Sequence, residues 1–142
     1  MLIEMELREI QIVDDPTRHQ VVVLAEKGGQ RAFPIYIGLF EASAMDLAVH
    51  GQKAPRPMTH DLIYNVLDGV GARLVEVRVD ELRSETFFGK LVLEKEDGEA
   101  VLIDSRPSDA LILAAKNRLP VFVEEAVLDE VCRHHPDQDA EP

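Results

Sequence analysis

Apolar and polar residues alternate across residues 3–7, and the alternation slips by one position before Ile10. Strict alternation is typical of a half-buried β-strand, and a slip of this kind indicates a β-bulge. The same pattern returns 72 residues later, across residues 75–79, with its slip before Leu82. The sequence therefore predicts a long bulged strand near the start of each half of the chain.

Two further strands and a helix follow each bulged strand. The dipeptides Gly28-Gly29 and Asp97-Gly98 favour hairpin turns between those strands. The hairpins match at an offset of 68 residues, because the turn around Ser84 is shorter than its counterpart in the first half. The predicted elements are strands over 21–26 and 31–37 with a helix over 39–49, then strands over 87–95 and 100–104 with a helix over 108–117. These matches predict a duplicated β-β-β-α repeat.

A separate amphipathic helix links the two repeats. Thr59 is a suitable N-cap for it, and Gly71 ends it. Its apolar stripe consists of Leu62, Ile63, Val66, Leu67 and Val70. A stripe of this kind lies against other apolar groups. The predicted fold class is α+β, with a largely antiparallel sheet and helices packed on it.

The predicted domain covers residues 1–132, and residues 133–142 are predicted to form a disordered acidic tail. Within the domain we predict repeat one at 1–51, the linking helix at 59–70, repeat two at 72–118, and a closing strand and helix at 120–132.

The two repeat helices are apolar nearly all round, as residues 39–45 and 110–115 illustrate. A helix of this kind is buried on more than one side. A sheet covers one side, so the other needs a second helix, a second sheet or a second subunit. For a chain of 142 residues, a homodimer or a larger homo-oligomer is expected.

The net charge of −12, from 27 acidic and 15 basic residues, disfavours binding to nucleic acid. An acidic surface repels a phosphate backbone unless cations intervene or basic residues cluster locally. Five Phe, two Tyr and no Trp also leave few aromatic platforms for stacked bases.

A single cysteine, Cys132, fits a reducing compartment, because one thiol cannot form an internal disulfide. The first residues lack the pattern of a signal peptide, and no apolar stretch approaches the ~20 residues that span a bilayer. We therefore expect a cytoplasmic protein without a membrane partner.

Three polar clusters lie at strand-to-helix or loop-to-helix junctions. They are residues 34–38 with Glu41, residues 56–61 and residues 104–110. The first and third clusters are equivalent in the predicted repeat. Helix N-termini present unpaired amides at such junctions, and these attract anions or acidic side chains.

The residue types in these clusters suit phosphodiester hydrolysis. His60, Asp61 and Asp104 are candidate catalytic residues, since a histidine transfers protons near neutral pH. Carboxylates bind Mg²⁺ or Mn²⁺, which neutralises phosphoryl oxygens and activates water. The candidate ligands for such a metal are Glu41, Asp104 and Asp109. The candidate substrate-binding residues are Arg56, Arg106 and Ser108.

A structural role is the alternative for most of these residues. Glu41, Asp61 and Asp109 fall in first helical turns, where acidic side chains complement the helix dipole. Arg56 and Arg106 can instead form salt bridges with Asp61 and Asp104, respectively. Thr59, Ser105 and Ser108 are capping types. Capping explains His60 and Asp104 least well.

The motifs PIYIG with the following Glu41-Ala42, RPMTHDL, IDSRPSDAL and LPVFVEE resemble those of the bifunctional nuclease domain family of bacteria and plants. The resemblance extends from Ile3 to about Val131 and implies cleavage of DNA and RNA. A metal-dependent nuclease is therefore the leading hypothesis. A non-catalytic regulatory domain that binds an anion or a protein is the alternative, and the acidic charge favours it. A third possibility is that the clusters only stabilise a dimer. For a single site, His60, Asp61, Asp104 and Asp109 must lie within roughly 10 Å of one another.

Overall fold

The computed structural model describes the backbone of residues 1–134 and the side chains of residues 1–132. This part of the chain forms one seven-stranded sheet and four helices. The elements are β1 (Leu2–Gln11), β2 (Gln20–Glu26), β3 (Ala32–Ile37), α1 (Leu39–Val49), α2 (Thr59–Gly69), β4 (Ala72–Arg83), β5 (Thr86–Lys95), β6 (Ala100–Ser105), α3 (Pro107–Asn117), β7 (Val121–Glu124) and α4 (Glu125–His134). Within these residues, no helix combines the length and apolarity that a membrane crossing requires.

The strands lie in the order β3-β2-β1-β7-β4-β5-β6. All neighbouring strands are antiparallel except β4 and β7, which pair in parallel. The short strand β7 therefore joins two antiparallel three-stranded meanders, one from each half of the chain. The predicted α+β fold with a largely antiparallel sheet and helices packed on it is confirmed.

Both predicted bulges are present. The pairing of β1 with β2 shifts register between Leu7 and Glu9, and that of β4 with β5 shifts between Val79 and Glu81. The turn between β4 and β5 contains only Ser84 and Glu85, both with positive φ, as a tight hairpin requires. The duplication itself requires residues 3–49 to superpose on residues 75–117, and it stays a prediction.

Helix α3 lies at the centre of the core, against α1, α2, β4 and β5. Its residues 110–114 are all buried, which confirms the prediction that this helix is covered on more than one side. Helix α1 behaves differently, because it buries Ala42, Met45 and Ala48 on one face and leaves Phe40 exposed. The expectation of burial on several sides is therefore wrong for α1 within this chain.

Helix α2 packs through a different set of residues from the predicted stripe. Ile63, Tyr64 and Leu67 lie against the core, whereas Leu62, Val66 and Val70 are more than half exposed. Tyr64 can be partly buried because its hydroxyl donates a hydrogen bond to the backbone carbonyl of Leu113 in α3. Burial also raises the pKa of Tyr64 to about 12. Three of the five residues of the predicted stripe therefore face solvent in the single chain.

The exposed apolar residues of α2 and of the positions that flank it are consistent with the predicted homo-oligomer, which stays a prediction. Met58, Leu62, Val66 and Val70 repeat at four-residue spacing, so an antiparallel second copy would place Leu62 opposite Val66. Light scattering at micromolar concentration is expected to give at least twice the 15.9 kDa chain mass. Replacing Leu62 and Val66 with glutamate is expected to return the mass to that of one chain. A mass of one chain for the unmodified protein at every concentration would contradict the prediction.

Helix α4 continues to His134, two residues beyond the predicted domain boundary at residue 132. The remainder of the predicted acidic tail, residues 135–142, lies outside the described residues.

Candidate functional site

His60 and Asp109 meet where the first turns of α2 and α3 come together. The Nε2 atom of His60 lies 3.0 Å from Oδ1 of Asp109. The His60 side chain is 16% exposed and that of Asp109 is 29% exposed, so both are only partly accessible to water. The Nδ1 atom of His60 makes no hydrogen bond to any residue that the structure describes, and it is not fully buried. Among the described residues, the imidazole is therefore anchored through Nε2 alone.

Arg106 immediately precedes α3 and holds the same carboxylate from the other side. Its Nε donates to Oδ2 of Asp109 at 2.9 Å, and its Nη2 donates to Oδ1 at 3.3 Å. Its Nη1 lies 3.6 Å from Oε1 of Glu41 in α1. Glu41, His60, Arg106 and Asp109 form one group, here called the junction cluster, which ties α1, α2 and α3 together.

The pKa of Asp109 lies below its ordinary value. Partial burial acts to raise this pKa, but hydrogen bonds from Arg106 and His60, with their charges, lower it by more. The hydrogen bond to Asp109 also raises the pKa of Arg106. Asp109 is therefore a carboxylate at neutral pH and accepts hydrogen bonds from both neighbours.

Asp61 has partners outside the junction cluster. Its Oδ1 lies 2.6 Å from Nζ of Lys116 in α3, and its Oδ2 accepts a hydrogen bond from the backbone N–H of Met58 at 2.9 Å. The N-cap of α2 is therefore Met58 and not the predicted Thr59. The predicted alternative of an Arg56–Asp61 salt bridge is wrong, because Lys116 takes this carboxylate. These contacts match the predicted structural role of an acidic residue in a first helical turn.

Asp104 also lies apart from the junction cluster in its contacts. Its neighbour across the sheet is Lys90, and Oδ1 of Asp104 lies 3.3 Å from Nζ of that lysine. The side chain is 78% exposed. Side chains alternate along a strand, so Asp104 leaves the sheet on the face opposite to Ser105. The predicted alternative of an Arg106–Asp104 salt bridge is wrong, because Arg106 pairs with Asp109 and Glu41. A catalytic role for Asp104 stays a prediction.

The residues predicted to bind a metal do not form a coordination set. Across residues 1–132, no three His, Cys, Asp or Glu side chains converge on a point that suits a metal ion. The positive charge between the carboxylates of Glu41 and Asp109 is the Arg106 guanidinium. The described residues therefore do not form a ligand set for Mg²⁺ or Mn²⁺. Dependence on either metal stays a prediction.

Two adjoining clefts lie beside His60. The larger, of about 560 Å³, is lined by Lys53, Arg56, Asp61 and Lys116 among others. The smaller, of about 110 Å³, is lined by His60 and shares Lys53, Asp61 and Lys116 with the larger. Sequence reasoning identified Arg56 and missed the two lysines. Lys116 follows Asp109 by two helical turns, so helical spacing alone indicates that it lies on the same face.

The remaining predicted substrate-binding residues, Arg106 and Ser108, line a third cleft of about 500 Å³. It contains Glu41 as well, and the exposed ring of Tyr36 stands at its edge. The Arg106 side chain is 64% exposed and reaches into solvent, whereas Ser108 is buried. The N-cap of α3 is Arg106, and no side chain forms a capping hydrogen bond there. The predicted capping role of Ser105 and Ser108 is therefore not realised.

Removing the Asp61 carboxylate is expected to lower the free energy of unfolding by about 1 kcal/mol, the usual effect of losing a helix cap. Asp61→Ala loses both the Lys116 ion pair and the Met58 hydrogen bond, whereas Asp61→Asn keeps an acceptor oxygen for Met58. The hydrogen bond from Lys116, followed by that from Met58, lowers the pKa of Asp61. Its contribution is therefore present at neutral pH and is lost as pH falls below the ordinary aspartate value of about 3.9.

Urea unfolding at pH 7 and pH 3 measures this contribution. The difference between the unmodified protein and Asp61→Asn is expected to shrink at the lower pH. An equal difference at both pH values would show that the Asp61 charge contributes nothing to stability.

Comparison with known proteins agrees with the family resemblance of the sequence motifs. Residues 22–135 match the family described as the bifunctional nuclease domain. An uncharacterized protein of Mycobacterium tuberculosis strain H37Rv is 37% identical over 137 residues, which cover 96% of this chain and 81% of that protein.

Two plant relatives carry the family's name. A protein of Oryza sativa subsp. japonica named bifunctional nuclease 1 is 23% identical over 84% of this chain and 37% of its own length. The protein of the same name in Arabidopsis thaliana is 29% identical over 77% of this chain and 34% of its own length. This chain thus spans little more than a third of each plant protein. With a family match over most of its length, the chain belongs to the bifunctional nuclease domain family.

Proposed function

We propose that this protein hydrolyses phosphodiester bonds in nucleic acid and that His60 transfers the protons of the reaction. The observation that carries the proposal is the anchoring of His60 by Asp109 in the lining of the smaller cleft, which shares three charged residues with the larger. The names of the plant relatives support the same reaction class. Histidine suits the reaction because it exchanges a proton near neutral pH.

The reaction requires a proton to leave water and a proton to reach the leaving oxygen. In the proposed sequence, neutral His60 accepts a proton from water as the water oxygen bonds to phosphorus. The bond between phosphorus and the leaving oxygen then breaks, and the imidazolium returns the proton to that oxygen. No net proton is gained or lost by the protein.

Asp109 and Arg106 have supporting roles in this sequence. The Asp109 carboxylate fixes the orientation of the imidazole through Nε2 and stabilises the imidazolium that forms. Arg106 keeps this carboxylate ionised and in place with two hydrogen bonds. Its exposed guanidinium also provides positive charge next to His60 for a phosphoryl oxygen.

The test is hydrolysis of bis(p-nitrophenyl) phosphate and of a labelled oligonucleotide by the purified protein, with EDTA and with added Mg²⁺ or Mn²⁺. Release of nitrophenolate that depends on His60 is the expected result. Stimulation by either metal would support metal dependence, and activity in EDTA would show that His60 acts without one. Failure to hydrolyse either substrate under all conditions would overturn the proposal.

A non-catalytic domain is the second candidate, and one observation favours it. Asp61, Asp109 and Glu41 are all engaged by cationic side chains, so their contacts also account for them as ties between helices. On this hypothesis, the junction cluster stabilises the fold and the clefts bind an anion or a protein partner.

A further inference from the structure

The loop between α1 and α2 presents two cationic side chains that form no ion pair with any residue that the structure describes. Among the 14 Lys and Arg side chains that the structure describes, nine form ion pairs. Lys53 and Arg56 are two of those without one, and both line the 560 Å³ cleft beside His60. In a chain with a net charge of −12, two unpaired cations in one cleft are a local reversal of charge.

The backbone of this loop is restricted on both sides of Arg56. Gly51, with φ of +67°, ends α1 in a conformation that glycine adopts without strain. Pro55 and Pro57 then fix their own φ angles and confine the preceding residues, including Arg56, to extended conformations. A loop ordered before binding loses little entropy when a ligand arrives.

The remaining lining of the cleft suits a phosphate chain. Lys116 adds a third cation, and Asn65 and Asn117 offer neutral hydrogen-bonding groups. Asp61 and Asp68 are the acidic residues of the cleft, and Lys116 already pairs with Asp61. The lining therefore carries one more positive than negative charge, which is the sign that attracts a phosphodiester backbone.

We propose that Lys53 and Arg56 hold phosphates of the substrate strand in this cleft and so deliver the strand to His60. This inference rests on the proposed function and names the surface by which an acidic protein binds a polyanion. Arg56 suits bidentate contact with a phosphate, and Lys53 provides a mobile point charge. The shared Lys53, Asp61 and Lys116 make the larger cleft continuous with the one that His60 lines.

The test is the salt dependence of binding to a fluorescein-labelled single-stranded 12-mer, measured by anisotropy between 50 and 400 mM NaCl. Each phosphate contact contributes about 0.7 to the slope of log K against log salt for a single strand. Replacing both Lys53 and Arg56 with alanine is expected to reduce the slope by about 1.4. At 0.1 M salt, one decade below the 1 M reference, a slope difference of about 1.4 corresponds to roughly 25-fold weaker binding.

A second double variant is the control, and it removes two positive charges that lie outside this cleft. Lys27 and Arg73 are exposed and paired with Glu4 and Glu94, outside the cleft beside His60. Replacing these two with alanine is expected to leave the slope unchanged. Equal losses in both double variants would overturn the proposal, because net charge alone would then explain the binding.

Two further arms separate the possible outcomes. Inorganic phosphate that displaces the 12-mer at an equal affinity would overturn the strand-binding role and indicate a site for a single phosphate. Hydrolysis of bis(p-nitrophenyl) phosphate by the control variant that lacks Lys27 and Arg73 is expected to match that of the unmodified protein, because neither residue lines the clefts beside His60. Binding is likewise measured in a His60→Gln background, so a failure of catalysis and a failure of strand binding are seen separately.

Discussion

Replacement of His60 with alanine is expected to lower the rate of phosphodiester hydrolysis by at least about 100-fold, the usual contribution of a general acid–base group. The variant loses the one imidazole that the structure places against a carboxylate of α3 and beside the clefts. His60→Gln separates chemistry from structure, because an amide can still donate a hydrogen bond to Asp109 but cannot exchange protons near neutral pH. An equal loss in both variants is therefore expected.

His50 provides the matched control for this prediction. It lies at the C-terminal end of α1 and is exposed, and its side chain forms a hydrogen bond and an ion pair with Asp46. His50→Ala is expected to hydrolyse the substrate within about twofold of the unmodified rate. Both histidine variants are to be purified identically, since a contaminating nuclease would give equal activity in each. Full activity in His60→Ala would contradict the assignment of His60.

Replacement of Leu113 with alanine is expected to lower the free energy of unfolding by about 2–5 kcal/mol, the range for large-to-small changes in a core. Leu113 is fully buried in the middle of α3, where that helix packs against its neighbours. Its backbone carbonyl also accepts the Tyr64 hydroxyl that fixes α2. The loss combines the missing apolar contacts with the cavity that the shorter side chain leaves.

Leu102 on β6 provides the control, because it is the same residue type on an edge strand and is exposed. Leu102→Ala is expected to change stability by less than about 1 kcal/mol. Urea unfolding followed by circular dichroism measures both variants, and the slope of free energy against urea is expected to stay constant. A loss in Leu113→Ala no larger than in Leu102→Ala would contradict the central position of α3.

The local elements of the fold could be predicted from the sequence because their signals are local. Alternation with one slip predicted both bulged strands, at Leu7/Glu9 and at Val79/Glu81. Glycine and aspartate at the hairpins predicted the turns, since few residues adopt positive φ without strain. The continuous apolar run in α3 predicted its burial on several sides. The motifs also led to the correct family, because they are sequence patterns themselves.

Sequence patterns alone do not show which of several possible partners each charged residue takes. Asp61 pairs with Lys116, and Arg106 pairs with Asp109 and Glu41, although nearer charged residues were available in the chain. His60 reaches Asp109 across 49 positions. An ion pair needs its atoms within about 4 Å, and only the packing of α1, α2 and α3 determines which side chains approach so closely.

By itself, then, the sequence determined the strands, their bulges and turns, the burial of α3 and the family. The tertiary structure decided the order of the strands, with β7 between the two meanders, and the face that α2 turns toward the core. The tertiary structure also determines that Asp104 forms an ion pair with Lys90, whereas Asp109 forms a hydrogen bond with His60. Periodicity reports only which side of one element is apolar. Which elements face each other depends on how those sides pack together across the whole chain, and the candidate site is formed by that packing.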